Sequence, residues 1–380
     1  MPYYKVDGEK KDGLQKYNVR VNYTDDNGKA KQLTRVAYGL EAAKDLERKL
    51  IDGVKDKTIT TASKMTVQQL YDEFIADRKY KVREVTVEKH DINYTLHIKS
   101  LLSNICIDKL SVQELQTWKL SMENKGYRIK TKDHVYGTLR AMLNYAVKME
   151  YIAKNPLEKV GNFVDVLDSK PDMVYYTADE FKKFIATAKQ VAEERQAKYN
   201  DVSEWDFYVF FNIAFYTGLR KGEIHALKWS DIDGVYLSVK RSITQRLKGA
   251  DRETPPKNKS SMRTLQMPLP LIKVLEEHKI RQEKLSQFTD SFRVCGGVRC
   301  LRDTSVQNKN ILYAEKSGIK KIRIHDFRHS HVSVLANMGV NIQEIARRLG
   351  HARVEMTWNT YSHMYPREEE KAVEILNDIE

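Results

Sequence analysis

The sequence predicts a multidomain α+β protein made of a small N-terminal three-stranded sheet plus a helix, a helical domain, and a mixed, mainly-α domain with a small antiparallel sheet. Its 380 residues exceed what one hydrophobic core usually serves. The first sixty residues alternate apolar and polar side chains, whereas most later segments repeat with helical period. Polar stretches at 55–64 and 157–174 are typical of linkers. We therefore expect domains over residues 1–60, 65–160 and 175–380.

The N-terminal domain is predicted to be a sheet backed by one helix. Along residues 17–23 the apolar side chains fall on one face and the basic and amide side chains on the other. Asn27-Gly28 favours a tight hairpin turn, because both central positions of a type I′ turn need positive φ. Residues 40–51 repeat with helical spacing. The basic face could lie on DNA, although an ordinary solvated sheet face is the simpler interpretation.

The second domain is predicted to be all-helical. Capping-box patterns begin two of its helices, at Thr66-x-x-Gln69 and Ser111-x-x-Glu114. The clearest helix carries its apolar residues on one face over 135–149. Four basic residues are expected just before that helix, where they either grip a phosphate backbone or face solvent: Lys125, Arg128, Lys130 and Lys132.

The third domain is the largest. Thr177-x-x-Glu180 predicts a capped helix, and the aromatic run 205–216 is apolar on all sides, which is typical of a buried helix. Three short runs typical of strands follow, at residues 235–239, 242–246 and 263–267.

Charge and composition narrow the class of partner. Lysine and arginine number 65 against 52 acidic residues, a net charge of +13. Dispersed basic charge favours DNA or RNA, because each bound phosphate releases counterions. Charge alone does not separate such a partner from a merely basic protein. No run approaches the roughly 18 apolar residues of a membrane span, so we expect neither a transmembrane protein nor a membrane partner.

The expected compartment is the reducing cytoplasm. The N-terminus has no apolar signal core, and three cysteines cannot all pair within one chain. We interpret Cys295 and Cys300 as packing thiols rather than a redox pair.

Two motifs place an arginine near a second charged or titratable group. Arg220 precedes Glu223 by three residues, a spacing that alone would fit a surface ion pair. His325 and Arg328 lie one helical turn apart, so both side chains can point at a common anion. The helix that continues from this motif is expected to bury Phe327, Val334, Leu335 and Met338.

Two further motifs follow. An apolar stripe over 342–349 stops at Gly350-His351, which places a histidine at a helix C-terminus. Ten residues beyond His351 stands Tyr361, within Thr-Tyr-Ser-His.

Together these motifs resemble those of the tyrosine recombinases, the phage-integrase family. GLRKGEI, IHDFRHSHVSVL, LGH and TYSHMYP occur in this order near the C-terminus. The layout is most similar to integrases of conjugative transposons and lambdoid-type phages, and the resemblance covers nearly the full chain. It implies an arm-site DNA-binding domain over 1–60, a core-binding domain over 65–160 and a catalytic domain over 175–380.

The resemblance also implies phosphoryl transfer without metal, ATP or another cofactor. Tyr361 would attack a scissile DNA phosphate and leave a 3′-phosphotyrosine and a free 5′-hydroxyl. Arg220 and Arg328 would stabilise the charge on the phosphate through their planar bidentate forks. His351 would donate a further hydrogen bond, and His325 would be a base or a hydrogen-bonding partner near the tyrosine.

The family's general acid is a lysine on a β-hairpin, and here two lysines compete. We expect the hairpin over residues 254–264. We assign Lys257 as the acid on the departing 5′-oxygen because it precedes the turn, and Lys259 in the turn as a contact of backbone phosphate. Glu223 would orient its neighbours.

Three other residues have competing interpretations. His329 and His331, with His325, stand at positions i, i+4 and i+6, which could suggest metal ligands. No carboxylate or cysteine partner follows at suitable spacing, so we predict no metal site. Tyr365 is a conceivable second nucleophile, but Tyr361 occupies the family's position after the LGH motif.

The predicted function is that of an integrase, which joins a mobile element to a chromosome and excises it. The alternatives are a non-catalytic DNA-binding protein and a type IB topoisomerase. The full set of catalytic residue types disfavours the first, and the additional N-terminal sheet domain disfavours the second.

The expected partner is double-stranded DNA at core and arm attachment sites, bound by a homotetramer. An accessory excision or DNA-bending protein is a further possible partner. The tail over residues 366–380 carries apolar residues within a charged helix, and it packs either on a neighbouring protomer or on its own domain: Ala372, Val373, Ile375 and Leu376.

Overall fold

The structure, a computed structural model, describes residues 3–11, 13–24, 30–55, 65–164, 173–245, 251–255 and 261–365, together with 373, 376 and 377. The chain forms two compact units, which comprise residues 1–169 and 170–380. The predicted turn at Asn27-Gly28, both candidate lysines and most of the C-terminal tail lie outside the described residues. The division into three domains stays a prediction.

The N-terminal region is the predicted three-stranded sheet with one helix. The strands run antiparallel, and the helix packs against the central strand, β2 (Leu14–Thr24). Alternate residues of β2 face this helix, so Val19 and Val21 are buried while Arg20 is exposed. Val19 pairs with Arg35 and Val21 with Leu33 across the neighbouring strand. The elements are β1 (Tyr3–Lys11), β2 (Leu14–Thr24), β3 (Ala30–Tyr38) and α1 (Leu40–Lys55).

The region from residue 65 to residue 164 is helical, as predicted. Both capping boxes form: the Thr66 and Ser111 hydroxyls accept from backbone N–H groups three residues on, and the Gln69 and Glu114 side chains accept in return. Large buried side chains such as Trp118 fill its core. The elements are α2 (Val67–Lys81), α3 (Glu84–Asn93), a π-helical turn (Tyr94–Ile98), α4 (Lys99–Leu102), α5 (Val112–Asn124), α6 (Ile129–Lys148) and α7 (Leu157–Val160).

Two boundaries in this region differ from the prediction. Lys130 and Lys132 lie inside the first turn of α6 rather than before it. Leu157 and Phe163 are buried in the helical core, where the Phe163 ring packs against Trp118, so the linker predicted over 157–174 started too early. The polar residues around these two side chains concealed their role in the sequence.

The second unit is built around α9 (Glu204–Thr217), which is buried on all sides as predicted. It packs against three helices: α8 (Ala178–Tyr199), α11 (Leu269–Glu283) and α13 (Asp326–Asn337). The Thr177 capping box begins α8, and the Phe184 ring lies between 5.1 and 5.7 Å from those of Phe211, Tyr313 and Phe327. The helices are α8 (Ala178–Tyr199), α9 (Glu204–Thr217), α10 (Lys221–Ala226), α11 (Leu269–Glu283), α12 (Asp303–Lys316), α13 (Asp326–Asn337), α14 (Ile342–Leu349) and α15 (Val354–Tyr361), with 3₁₀ turns at Trp229–Asp231 and Ser362–Met364.

The described part of this unit holds two small antiparallel sheets rather than one. Thr254 pairs with Ser242, whereas Thr264 pairs with Ser238 in the other sheet. The prediction of one hairpin over 254–264 was therefore wrong, because a local β pattern does not specify which strand is its partner. One sheet comprises β4 (Ile232–Asp233), β5 (Tyr236–Val239) and β8 (Arg263–Gln266), and the other comprises β6 (Ser242–Thr244) and β7 (Arg252–Thr254).

The apolar face of α13 differs in one residue from the prediction. Phe327 is buried and Val334 and Leu335 are half-buried, but Met338 is 81% exposed. Met338 follows the last residue of α13, so the helical face that buries Ala336 does not extend to it. No disulfide links the three cysteines, all of which lie within the described residues: Cys106, Cys295 and Cys300.

Among the residues that the structure describes, no helix is both long enough and apolar enough to span a membrane.

Candidate active site

Arg220 is positioned by the tight connection between α9 and α10. Gly218 ends α9 in the left-handed conformation, with φ of 64°, and Arg220 caps the start of α10. The Arg220 backbone N–H donates to Glu223 Oε2 at 3.0 Å, and its Nη1 donates to Glu223 Oε1 at 3.0 Å. The two residues do form an i,i+3 ion pair, but the Glu223 side chain is only 3% exposed. The buried carboxylate therefore anchors the arginine, whose own side chain is 39% exposed.

Glu223 is shared with a second arginine, Arg263 of β8. Arg263 Nη2 donates to Glu223 Oε2 at 2.9 Å, and its Nε donates to the Arg348 carbonyl at 2.6 Å. Its Nη1 also donates to the Ser261 carbonyl at 3.0 Å. Burial alone would raise the pKa of Glu223, but the Arg263 charge and hydrogen bonds hold that pKa below its ordinary value. Arg263 thus ties α10 to the end of α14.

Arg328 lies in the first turn of α13 and is 3% exposed. Its Nη1 donates to the Gly218 carbonyl and its Nη2 to the Leu349 carbonyl, each at 2.8 Å. Burial and the positive charge of Arg220 lower the pKa of Arg328 to about 9, so the guanidinium keeps its charge at neutral pH. Its two backbone contacts lie two residues before Arg220 and two residues before His351, which brings those side chains to one place.

His351 follows the left-handed C-cap Gly350 of α14. Its Nε2 lies 2.9 Å from Arg328 Nη2, and its Nδ1 lies 2.7 Å from Thr357 Oγ1. Burial and the nearby Arg328 charge lower the pKa of His351 to about 4, so the ring is neutral at pH 7. Because Nε2 accepts from Arg328, the single ring proton lies on Nδ1 and is donated to the Thr357 hydroxyl.

Tyr361 is the last residue of α15 and is 2% exposed. Its hydroxyl lies 2.8 Å from His329 Nδ1. Burial raises the pKa of Tyr361 to about 12, although the charges of Arg328 and Arg220 act in the opposite direction. The tyrosine hydroxyl therefore lies within the field of both predicted guanidiniums and is protonated at neutral pH.

His325 is exposed at the N-cap of α13. Its ring meets that of His329 edge-on, with centroids 5.4 Å apart. Burial and the charge of Arg328 lower the pKa of His325. The direct neighbour of the Tyr361 hydroxyl is thus His329.

The structure brings together the predicted residues that it describes. His351 contacts Arg328 directly, Arg220 adjoins the backbone that binds Arg328, and both arginines act on Tyr361. Lys257 lies outside the described residues. The Tyr365 hydroxyl donates to the Val340 carbonyl at 2.9 Å. Within the described ranges, no group of three or more His, Cys, Asp or Glu residues is arranged to hold a metal ion.

Two segments of the chain match known protein families. Residues 175–368 match the phage integrase family, and residues 66–122 match the SAM-like N-terminal domain of phage integrases. The first match alone spans half of the chain. The chain belongs to the phage integrase family. The function expected from the sequence, that of a tyrosine recombinase of the integrase type, is confirmed at the level of this family.

Individual relatives of this integrase chain are similar over almost its full length. The ICEBs1 integrase of Bacillus subtilis is 28% identical over 380 residues, which cover 96% of this chain and 97% of that one. Among solved structures, the Tn1549 transposon integrase in complex with a circular intermediate DNA has a TM-score of 0.67 at 21% identity and covers 83% of this chain and 100% of that one. A lambda integrase tetramer bound to a Holliday junction has a TM-score of 0.54 at 16% identity and covers 93% and 96% of the two chains. The predicted fold class is confirmed.

Sequence reasoning missed three residues of this integrase site: His329, Arg263 and Thr357. His329 was set aside as an unassigned histidine, although its spacing of four from His325 already placed both on one helix face. Arg263 and Thr357 gave no local signal. Their partners Glu223 and His351 lie 40 and 6 residues away, and only the fold joins them.

Proposed function

We propose that this chain is a site-specific recombinase that integrates and excises a mobile DNA element through a covalent 3′-phosphotyrosine intermediate. The observation that carries the proposal is the cluster around the start of α13. Arg328 Nη2 lies 2.9 Å from His351 Nε2, and its Nη1 donates to the Gly218 carbonyl beside Arg220, while the next residue, His329, lies 2.8 Å from the Tyr361 hydroxyl. A phosphodiester bound between two guanidiniums presents its phosphorus to a nearby nucleophile while its negative charge is neutralised.

In the cleavage step, the Tyr361 oxygen attacks phosphorus and the bond to the 5′-oxygen breaks. Charge builds on the non-bridging oxygens, and Arg328 and Arg220 stabilise it with donors whose orientation is set before the reaction. Arg328 is oriented by the carbonyls of Gly218 and Leu349, and Arg220 by Glu223. Pre-set donors cost no reorganisation when the transition state forms.

His351 contributes a hydrogen bond to the phosphate only after a change of tautomer. In the structure its Nε2 accepts from Arg328 and its Nδ1 faces the Thr357 hydroxyl. A hydroxyl both donates and accepts. When Thr357 donates to Nδ1, the ring proton moves to Nε2, and His351 becomes a donor to the phosphate.

The leaving 5′-oxygen needs a proton, and we assign its donation to Lys257, with Lys259 as the alternative. Glu223 acts as a positioning residue. The phosphotyrosine conserves the energy of the phosphodiester, so the reaction needs neither ATP nor metal. The reverse attack by a 5′-hydroxyl of a second strand completes the exchange.

The proposed substrate is double-stranded DNA at core and arm attachment sites. The relatives support the class of element: ICEBs1 and the Tn1549 transposon each encode a similar integrase. The lambda integrase bound as a tetramer to a Holliday junction supports a homotetramer here. In this proposal residues 1–60 bind arm sites, residues 65–160 and 175–380 bind the core site, the tail after residue 365 packs on its own or a neighbouring domain, and the enzyme works in the cytoplasm on nucleoid DNA.

The experiment that tests the proposal traps the covalent intermediate. The full-length protein is incubated in EDTA with a nicked duplex that carries the attachment site of the element, and the products are separated by denaturing electrophoresis. We expect a protein–DNA adduct that is lost in Tyr361→Phe and retained in the matched control Tyr365→Phe. An adduct that survives Tyr361→Phe moves the nucleophile elsewhere, and no adduct with the wild-type protein contradicts strand cleavage.

A further inference from the structure

The histidine in direct contact with the nucleophile is the one to which the sequence assigned no role. We propose that His329 is the catalytic base, which takes the proton from the Tyr361 hydroxyl during cleavage and returns it during rejoining. This inference rests on the proposed function, because it presupposes that Tyr361 is the nucleophile.

The geometry singles out His329 among the histidines of the site. Its Nδ1 lies 2.8 Å from the Tyr361 oxygen, which is the distance of a good hydrogen bond, and the two ring centroids are 5.5 Å apart. His325 instead packs its ring edge-on against His329. His351 is hydrogen-bonded to Arg328 and Thr357. Proton transfer requires hydrogen-bond reach, so His329 is the group placed for it.

The protonation state of His329 also suits this role. Burial, the neighbouring His325 and the charges of Arg323 and Arg328 favour the neutral ring, while Asp326 on the same helix opposes them. Burial is the largest of these effects, and it lowers the pKa of His329 to about 4. A neutral ring has one free nitrogen. Since Tyr361 is a protonated phenol, its O–H donates to Nδ1, and the ring proton lies on Nε2.

A carboxylate is placed to stabilise the cation that forms. His329 Nε2 lies 3.9 Å from Asp326 Oδ1, and the Asp326 side chain is 4% exposed. This separation is too long for a hydrogen bond but short for a pair of charges in a mostly buried site. Once Nδ1 takes a proton, the positive ring faces this carboxylate.

During cleavage one proton passes to His329 and another is supplied by the general acid. As the bond from the Tyr361 oxygen to phosphorus forms, the O–H proton passes to His329 Nδ1. The bond from phosphorus to O5′ breaks, its electron pair goes to O5′, and the general acid protonates that oxygen. In rejoining, the incoming 5′-hydroxyl gives its proton back to the general acid and its oxygen attacks phosphorus. The bond from phosphorus to the Tyr361 oxygen breaks, and the phenolate that leaves recovers its proton from the His329 cation.

The first test separates basicity from mere placement. In His329→Asn the side-chain carbonyl oxygen stands near the position of Nδ1, so it accepts the hydrogen bond but cannot take the proton. Single-turnover cleavage of the nicked duplex should fall about 100-fold or more at pH 7. The rate of the variant should then rise with pH as hydroxide replaces the base, whereas the wild-type rate levels off above the pKa of His329. The matched control is His363→Asn, which changes an exposed histidine two residues after Tyr361.

The second test distinguishes loss of a base from damage to the site. A duplex with a 3′-(p-nitrophenyl) phosphate beside a 5′-hydroxyl can be joined without Tyr361, because p-nitrophenolate leaves unprotonated. Joining by Tyr361→Phe should equal joining by the double variant with His329→Asn. If the double variant loses joining as strongly as His329→Asn loses cleavage, or if His329→Asn cleaves like the wild type, the inference is overturned. Neither result affects the proposed function, which the Tyr361→Phe adduct assay tests separately.

Discussion

Glu223 is the residue on which the position of Arg220 depends. Its two oxygens accept four hydrogen bonds, two from Arg220 and two from Arg263, and both Glu223 and Arg263 have side chains at most 4% exposed. A buried carboxylate between two guanidiniums is stable only while every partner is present, because any remaining charge would be left desolvated. Glu223 therefore contributes both to folding and to the orientation of Arg220.

Removal of the Glu223 charge should destabilise the folded protein. Glu223→Gln should lower the free energy of unfolding by about 3 kcal/mol, because Arg263 keeps its charge in a buried position with no carboxylate. Urea denaturation followed by circular dichroism measures the change. The control is Glu344→Gln, which breaks the exposed i,i+3 pair with Arg347 and should cost at most about 0.5 kcal/mol. Equal losses in the two variants would show that burial of the Glu223 network does not matter.

At the scale of elements, the site is assembled from the ends of helices. Arg220 caps α10, Arg328 lies in the first turn of α13, His351 follows α14, and Tyr361 ends α15. Helix ends leave backbone groups unpaired, and here the carbonyls of Gly218 and Leu349 accept from Arg328. The same contacts that complete the helix ends therefore orient the guanidinium.

Gly350 allows a prediction about the end of α14. Its φ is 66°, and a Cβ there would lie 2.9 Å from Arg263 Nη1, a side chain held by Glu223 and by backbone carbonyls. Gly350→Ala should therefore combine backbone strain with displacement of Arg263, lower stability by about 2 to 4 kcal/mol and reduce cleavage.

Gly339→Ala is the matched control for Gly350→Ala. Gly339 has φ of 73°, but a Cβ there would meet nothing within 4 Å. Gly339→Ala should therefore lower the free energy of unfolding only by the backbone strain, about 1 kcal/mol, and leave cleavage unchanged. Thermal unfolding and the adduct assay measure both variants, and identical behaviour would show that the contact with Arg263 is irrelevant.

Buried histidines throughout the catalytic unit make the free energy of unfolding depend on pH. Burial lowers the pKa of His329 and His351 to about 4 and that of His331, which is bonded to the Phe215 carbonyl, to about 3. In the unfolded chain a histidine has a pKa of about 6.5. Below that pH the unfolded state binds protons that the folded state does not, so stability is complete above pH ~6.5 and falls as the pH drops toward ~4.

This linkage predicts a measurable loss on acidification. Each of the three histidines should contribute about 1.4 kcal/mol per pH unit within this window, so the unfolding free energy should fall by several kcal/mol between pH 7.5 and 5.5. His329→Asn should reduce the slope by the share of one histidine, and the exposed His363→Asn serves as the control for the substitution itself. Urea titrations at four pH values measure the slopes, and a flat profile for the wild type would refute the assignment of buried neutral histidines.

The sequence alone was enough to predict the structural features that depend on residues close together in the chain. The capping boxes at Thr66, Ser111 and Thr177 involve groups three residues apart, and the all-apolar run of α9 can only be buried, so both were predicted correctly. The motifs that carry Arg220 and Tyr361 were also sufficient to identify the family, since their residue types and order are specific.

Only the tertiary structure decided which distant groups meet. It paired Arg263 with Glu223 across 40 residues and placed His329, rather than His325, against the Tyr361 hydroxyl. It also paired Thr264 with Ser238 instead of Thr254. The physical reason is that spacing along a helix or strand specifies a direction for each side chain, whereas a contact between two elements depends on how the whole core packs around them.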